Sequence, residues 1–249
     1  MTRLPPAFLH RPLAHRALHG PGRPENSVEA VRAAIDAGYG IEVDLQLSAD
    51  GEAMVFHDAV LDRLTGKAGP VAGRTAQELR QIPLTGSEAG IPTFAEVLAL
   101  VAGRVPLLVE IKDQDGQMGG DVGPLEEAAA RAADGYAGPL AFMSFNPHSV
   151  GLMAELAPGV ARGLTTSAFR EESWPGLPAE LRARLREMPD FARVGASFIS
   201  HEAADLSSAP VARVKAEGHP VLCWTIRSEA QATEARAIAD NITFEGFAP

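Results

Sequence analysis

Short apolar runs alternate along this chain with Ala-rich stretches whose apolar residues recur at helical spacing. In "NSVEAVRAAIDAG", Val28, Val31 and Ile35 fall on one side of a helix. Asn26 is the expected N-cap, Glu29 lies three residues on, and Gly38 marks the stop. "GIEVDLQL" (40–47) follows as a strand. Residues 48–92 are less regular: an Asp50-Gly51 turn, a short strand at 53–57, and one or two helical turns in "TAQELRQIP". Thr93 and Glu96 make a capping box that opens a helix, and "VPLLVEIK" (105–112) is the third main strand.

The same rhythm continues to the end of the chain. Strands are expected at 140–145, 160–166, 195–200, 220–226 and 241–246, with a first strand inside 11–17. Helices are expected near 123–134, from Pro147 behind an Asn146 cap, at 178–188, at 209–218, and from a Ser228/Gln231 capping box to Ala237. Eight main strands, each but the last followed by a helix, imply parallel pairing through crossovers. The fold class expected is α/β, a (β/α)8 TIM barrel with a small insertion after the second strand at about 48–92. Residues 1–249 would then make one domain. A doubly wound open sheet is the alternative. "HGPGRPEN" lacks the G-x-G-x-x-G spacing that usually follows its first strand.

The strands carry polar residues where a parallel sheet should be apolar on both faces. Side chains alternate with period two, so Glu42 and Asp44 share a face opposite Ile41 and Val43. Glu110 and Lys112 share a face opposite Val109 and Ile111. In a barrel these polar faces point inward near the C-terminal mouth, where functional side chains gather. Three carboxylates in one space repel one another, and a divalent cation removes that repulsion. Glu42, Asp44 and Glu110 are therefore candidate metal ligands, and an all-oxygen set suits Mg²⁺, Ca²⁺ or Mn²⁺. The competing explanation is a structural ion cluster with Arg16 and Lys112, which is a poor use of buried charge. His15 and His57 stand at strand ends beside these acids and are the candidate acid–base pair. Arg16 and Lys112 would fix an anionic group.

Charge and composition narrow the partners. The 249 residues carry 22 basic and 32 acidic side chains, a formal charge of −10. That balance argues against nucleic acid as a partner and against stable membrane association. Cys223 is the one cysteine, which suits a reducing compartment. No apolar run reads as a signal peptide or a membrane span, so a cytoplasmic location is expected.

The motifs stand in a recognisable order. "HR" at 15–16, "PENS" at 24–27, "IEVDLQLSADG" at 41–51, "VFHD" at 55–58 and "VEIK" at 109–112 resemble the glycerophosphodiester phosphodiesterase family. "SFNP" (144–147) and "WTI" (224–226) are similar to its later strand-end motifs. The resemblance implies a (β/α)8 barrel that hydrolyses a small glycerophosphodiester to an alcohol and glycerol 3-phosphate with Mg²⁺ or Ca²⁺. It implies metal binding by Glu42, Asp44 and Glu110, acid–base work by His15 and His57, phosphate binding by Arg16 and Lys112, and a pocket lined by Trp224. Three departures stand out: Ala17 where the family has Gly, Arg227 after "WTI", and Glu245 where the last strand usually has Asp. Arg227 either recognises an acidic head group or faces solvent, and His201 is expected to hydrogen-bond at the surface.

Two other functions compete. A lysophospholipase D-type enzyme would need an apolar ramp beside the pocket. A non-catalytic phosphodiester-binding barrel would not need the two histidines. Head-group preference, choice of metal, nucleophile and oligomeric state are left open by the sequence.

Overall fold

In the computed structural model, which describes residues 2–249, eight parallel strands close into a barrel. They are β1 (Leu13–Ala14), β2 (Gly40–Leu47), β4 (Leu107–Ile111), β5 (Leu140–Ser144), β6 (Ala161–Thr166), β7 (Phe198–Glu202), β8 (Val221–Ile226) and β9 (Asn241–Phe244). The order is β1-β9-β8-β7-β6-β5-β4-β2, and β1 pairs with β2 to complete the circle. A ninth strand, β3 (Ala53–Val55), folds back antiparallel on β2. The helices are α1 (Ala7–His10), α2 (Val28–Ala37), α3 (Asp62–Thr65), α4 (Ala76–Leu79), α5 (Phe94–Val101), α6 (Pro124–Ala133), α7 (Pro147–Leu156), α8 (Ala179–Glu187), α9 (Ala209–Ala216) and α10 (Glu229–Arg236). This is the TIM barrel expected from the alternating pattern.

Local rules place most of the boundaries. Thr93 and Glu96 form the expected reciprocal box on α5, and Asn146 caps α7. One cap moves by a residue: Ser27, not Asn26, accepts from the Ala30 N–H and starts α2. Asn26 instead takes a left-handed backbone (φ 58°), which Asn tolerates, and is buried. Ser228 caps α10, but Gln231 reaches back to the Arg227 N–H, so that box is only half made. The first strand is two residues long rather than a full segment. The strand expected at 195–200 runs instead over Phe198–Glu202. Gly195 has a positive φ (63°), and Ala196 bonds back to Phe191, so the chain is still turning there.

The barrel interior changes character from bottom to top. At the N-terminal end Leu13, Leu108, Ala141, Phe198 and Leu222 pack together, and Phe8 of α1 closes the floor. Gly163 makes room for this plug, since a Cβ there would meet the Phe198 ring at 2.5 Å. Outside, the strands pack on the helices in one continuous apolar layer. The insertion has a small core of its own, including Met54, Phe56, Leu61, Val71, Leu79 and Ile91. With its floor sealed by hydrocarbon, the barrel leaves its polar interior positions to the C-terminal mouth. Among the described residues, no helix is long and apolar enough to cross a membrane.

Candidate functional site

Glu42 and Asp44 on β2 and Glu110 on β4 face the barrel axis near the mouth, and Asp44 is the register partner of Glu110. All three are buried. Each offers one carboxylate oxygen, and these atoms lie within 4.8 Å of one another, so the group could hold a metal ion. The Lys112 Nζ sits between two of them, 2.7 Å from Asp44 and 2.5 Å from Glu110. Arg16 adds a second cation, with its Nε 3.7 Å from Asp44 and its backbone N–H donating to Glu42 at 2.9 Å.

The electrostatics of the three acids differ. Burial, then repulsion from Asp44 and Glu110, pushes the Glu42 carboxyl well above its usual range. Burial works the same way on Asp44, but Lys112, His57 and Arg16 overcome it and hold that carboxyl below its usual range. Lys112 is kept charged by Asp44 and Glu110 against the cost of burial. Three acids thus face two cations, and Glu42 is the acid left short of positive charge. Hard oxygen donors in that state fit a hard divalent cation.

The approach to this cluster is made of unusual backbone. Arg16 and Ala17 both adopt left-handed conformations, φ 51° and 63°. Ala17 therefore carries a strain of about 1 kcal/mol or more that a glycine would not. The turn brings the Ala17 N–H onto the Glu42 carbonyl and lets the Arg16 guanidinium reach Glu25 at 2.8 Å. Asn26 donates its amide to Asp44 at 2.9 Å, and its side-chain carbonyl accepts from the Asp44 N–H.

Two histidines flank the acids. His15 Nδ1 lies 2.7 Å from Glu245 Oε2, and His57 Nδ1 lies 2.7 Å from Asp58 Oδ1. An ionised carboxylate only accepts, so in each ring Nδ1 carries the proton and Nε2 is the nitrogen left for the cavity. Burial pushes His57 below the usual imidazole value. Lys112 and Arg16 act in the same sense, while Asp44 and Asp58 oppose them. The hydrogen bond from His15, with the His19 ring 3.5 Å away and Arg227 beside it, holds Glu245 far below the usual carboxyl range.

One cavity of about 180 Å³ receives all eight residues singled out from the sequence: His15, Arg16, Glu42, Asp44, His57, Glu110, Lys112 and Trp224. Phe145, Met143, Ser200, Thr225, Arg227 and Thr243 complete its wall. The Trp224 indole is fixed by a 3.0 Å bond to the Ser200 carbonyl. A second, open depression of about 540 Å³ continues from this cavity past His57, Lys112 and Phe145. Its far walls are Met118, Trp174, Pro175 and Leu177, and the Phe145 and Trp174 rings meet edge to face at 4.8 Å.

Several contacts of the site were not legible in the sequence. Glu245 belongs to the site through His15, and its Oε1 takes Arg227 Nε at 2.8 Å, so Arg227 neither stands free nor faces only solvent. Asp58 was visible beside His57, but its partner Arg63 was not. His201 corrects an expectation. It is buried, not superficial, because it points outward from the barrel between Thr166 Oγ1 (2.7 Å) and Asp205 (3.3 Å).

Comparison with known proteins agrees with this geometry. Residues 12–242 match the glycerophosphoryl diester phosphodiesterase family. A glycerophosphodiester phosphodiesterase of Caldanaerobacter subterraneus is 32% identical over 173 residues, which is 65% of this chain and 69% of that protein. Among solved structures, an Oleispira antarctica phosphodiesterase in complex with the product sn-glycerol-3-phosphate superposes with a TM-score of 0.78. It is 25% identical, with 96% of this chain and 94% of that one covered. A Thermotoga maritima glycerophosphodiester phosphodiesterase shares the fold at 22% identity and a TM-score of 0.71, over 94% of each chain.

Proposed function

Because the chain belongs to the glycerophosphoryl diester phosphodiesterase family, we propose that it hydrolyses water-soluble glycerophosphodiesters to an alcohol and glycerol 3-phosphate. The carrying observation is that a single cavity gathers three buried acids, two cations and two histidines tied back through Nδ1. The product bound in the Oleispira phosphodiesterase supports glycerol 3-phosphate as the retained half.

Glu42, Asp44 and Glu110 would hold the divalent cation, Mg²⁺ or Ca²⁺. Bound there, it would polarise the phosphoryl group and offset its growing negative charge. Arg16 and Lys112 orient the phosphate and stabilise the same charge from the protein side. His57, kept neutral by burial, accepts the proton of the attacking hydroxyl at Nε2. A new P–O bond forms as the ester P–O bond breaks. His15, held through Nδ1 by Glu245, donates its Nε2 proton to the departing alkoxide. Trp224 lines the organic half of the substrate. Water as nucleophile gives glycerol 3-phosphate directly; the glycerol 2-hydroxyl as nucleophile gives a cyclic phosphate, which a water then opens by the same acid–base pair to glycerol 3-phosphate.

The apolar depression beyond Phe145 favours a second substrate class for the same chemistry, a lysophospholipid whose chain lies along Met118, Trp174 and Leu177. One assay separates the readings. Glycerophosphocholine and lysophosphatidylcholine are each incubated with the enzyme, and products are followed by ³¹P NMR. We expect glycerol 3-phosphate from the first substrate, no turnover in excess chelator, and recovery on adding Mg²⁺ or Ca²⁺. Undiminished turnover in chelator sinks the metal assignment. A higher kcat/KM for lysophosphatidylcholine replaces the first substrate class with the second.

A further inference from the structure

Arg63 stands outside both the catalytic cavity and the apolar depression, on the short helix α3 of the insertion. Its guanidinium nevertheless makes four hydrogen bonds to two carboxylates that hold residues inside. Nε and Nη2 grip Asp58 at 2.7 and 2.9 Å, and Nη1 and Nη2 grip Glu25 at 2.9 and 2.8 Å. The atoms shared are informative. Asp58 Oδ1 accepts from both Arg63 Nη2 and His57 Nδ1, while Glu25 Oε1 accepts from both Arg63 Nη2 and Arg16 Nη1. One nitrogen of Arg63 therefore touches the oxygen that orients the imidazole and the oxygen that orients the phosphate-facing guanidinium.

An exposed ion pair contributes little to stability. Arg63 is 47% exposed, so a purely stabilising role would make its removal nearly silent. Four bonds in two planar forks do something else: they fix geometry, which a single ammonium cannot copy. We propose that Arg63 is a positioning residue that sets His57 and Arg16 relative to one another, locking the insertion to the loop after β1. The proposal rests on the proton-transfer and phosphate-binding roles given above to those two residues.

The experiment is a set of steady-state and spectroscopic measurements on the full chain in the presence of Mg²⁺. Arg63→Gln is expected to lower kcat by about 10- to 100-fold through misplacement of His57, and to raise KM several-fold through Arg16. Asp58→Asn is expected to reproduce the kcat part, and Glu25→Gln the KM part. Adding Arg63→Gln to Asp58→Asn should lower kcat little further, because residues acting as a unit are not additive. Arg63→Lys should recover only part of the loss. The His57 Nδ1–H resonance, read by NMR without substrate, should shift in Arg63→Gln as it does in Asp58→Asn. That readout is independent of turnover, so it stands even if the substrate assignment fails. Unchanged kcat and KM per folded molecule, full additivity with Asp58→Asn, or an unmoved His57 resonance would each overturn the proposal. If Arg63→Gln folds poorly, the same three readings on Arg63→Lys decide it.

Discussion

The two histidines of the mouth have the same immediate surroundings and different foundations. Each imidazole gives Nδ1 to a carboxylate at 2.7 Å, and each carboxylate is gripped in turn by an exposed arginine. His15 gets its carboxylate from Glu245, 230 residues away, where β9 closes the barrel against β1. His57 gets its carboxylate from the next residue, and its arginine from the insertion. The first histidine is held by barrel closure itself. The second is held by an added segment with its own small core, and that segment also reaches Arg16 through Glu25. Shared chemistry at the imidazole thus hides unequal dependence on the rest of the molecule.

The largest expected effect tests whether the two imidazoles do different work. His15→Ala and His57→Ala should each cut kcat by about 10²- to 10⁴-fold with the circular dichroism spectrum intact. Their pH profiles should differ. Burial holds His57 below the ordinary value of 6.5, so its proton-accepting form persists below that pH. Activity of the wild type should be lost as pH falls through this lowered value, which places the acid limb of kcat/KM below pH 6.5. His57→Ala should erase that limb, and His15→Ala should leave it in place. Loss of the same limb in both variants would remove the division of labour.

A smaller effect is expected one bond further out. Glu245→Gln and Asp58→Asn each keep the shape of the carboxylate and remove its charge. Both should lower kcat by about 10- to 100-fold, since a mis-set ring costs that order of rate. The contrast lies in the acid limb. Asp58→Asn should move it to lower pH, because the Asp58 hydrogen bond that raises the His57 value is weakened. Glu245→Gln should leave it in place. A matching shift in both variants, measured as kcat/KM against pH, would merge the two stations into one.

The sequence displayed some of this and concealed the rest for physical reasons. The period-two placement of Glu42, Asp44, Glu110 and Lys112 sets acids and a lysine on the inward face of strands otherwise apolar, so the cluster was legible without coordinates. His57 was legible because it follows a short strand next to an aspartate. The link between His15 and Glu245 was not, since barrel closure joins residues from opposite ends of the chain. Arg63 was hidden because its partners lie in two different loops and its own helix has only four residues. Asn26 looked like a helix cap by residue type, and only backbone geometry shows that Ser27 took that role and freed Asn26 for Asp44. The strand ends near 195 were misplaced because a parallel strand is apolar on both faces and its pattern does not mark where pairing begins.

The smallest effect should come from Arg227, the counterpart of Arg63 on the His15 side. Arg227 makes one hydrogen bond to Glu245 and is 61% exposed, whereas Arg63 makes four and bridges two carboxylates. A lone exposed ion pair contributes about 0.2–1 kcal/mol, so Arg227→Ala should lower kcat by no more than about fivefold. The loss should shrink further at high salt, where exposed pairs are screened. Glu245 keeps His15 and His19 as partners, so the imidazole stays oriented without the arginine. Measured beside Arg63→Gln under one set of conditions, Arg227→Ala gives a direct ratio. If removing Arg227 costs as much as removing Arg63, then barrel closure does not hold His15 by itself, and both histidines depend on their outer arginines alike.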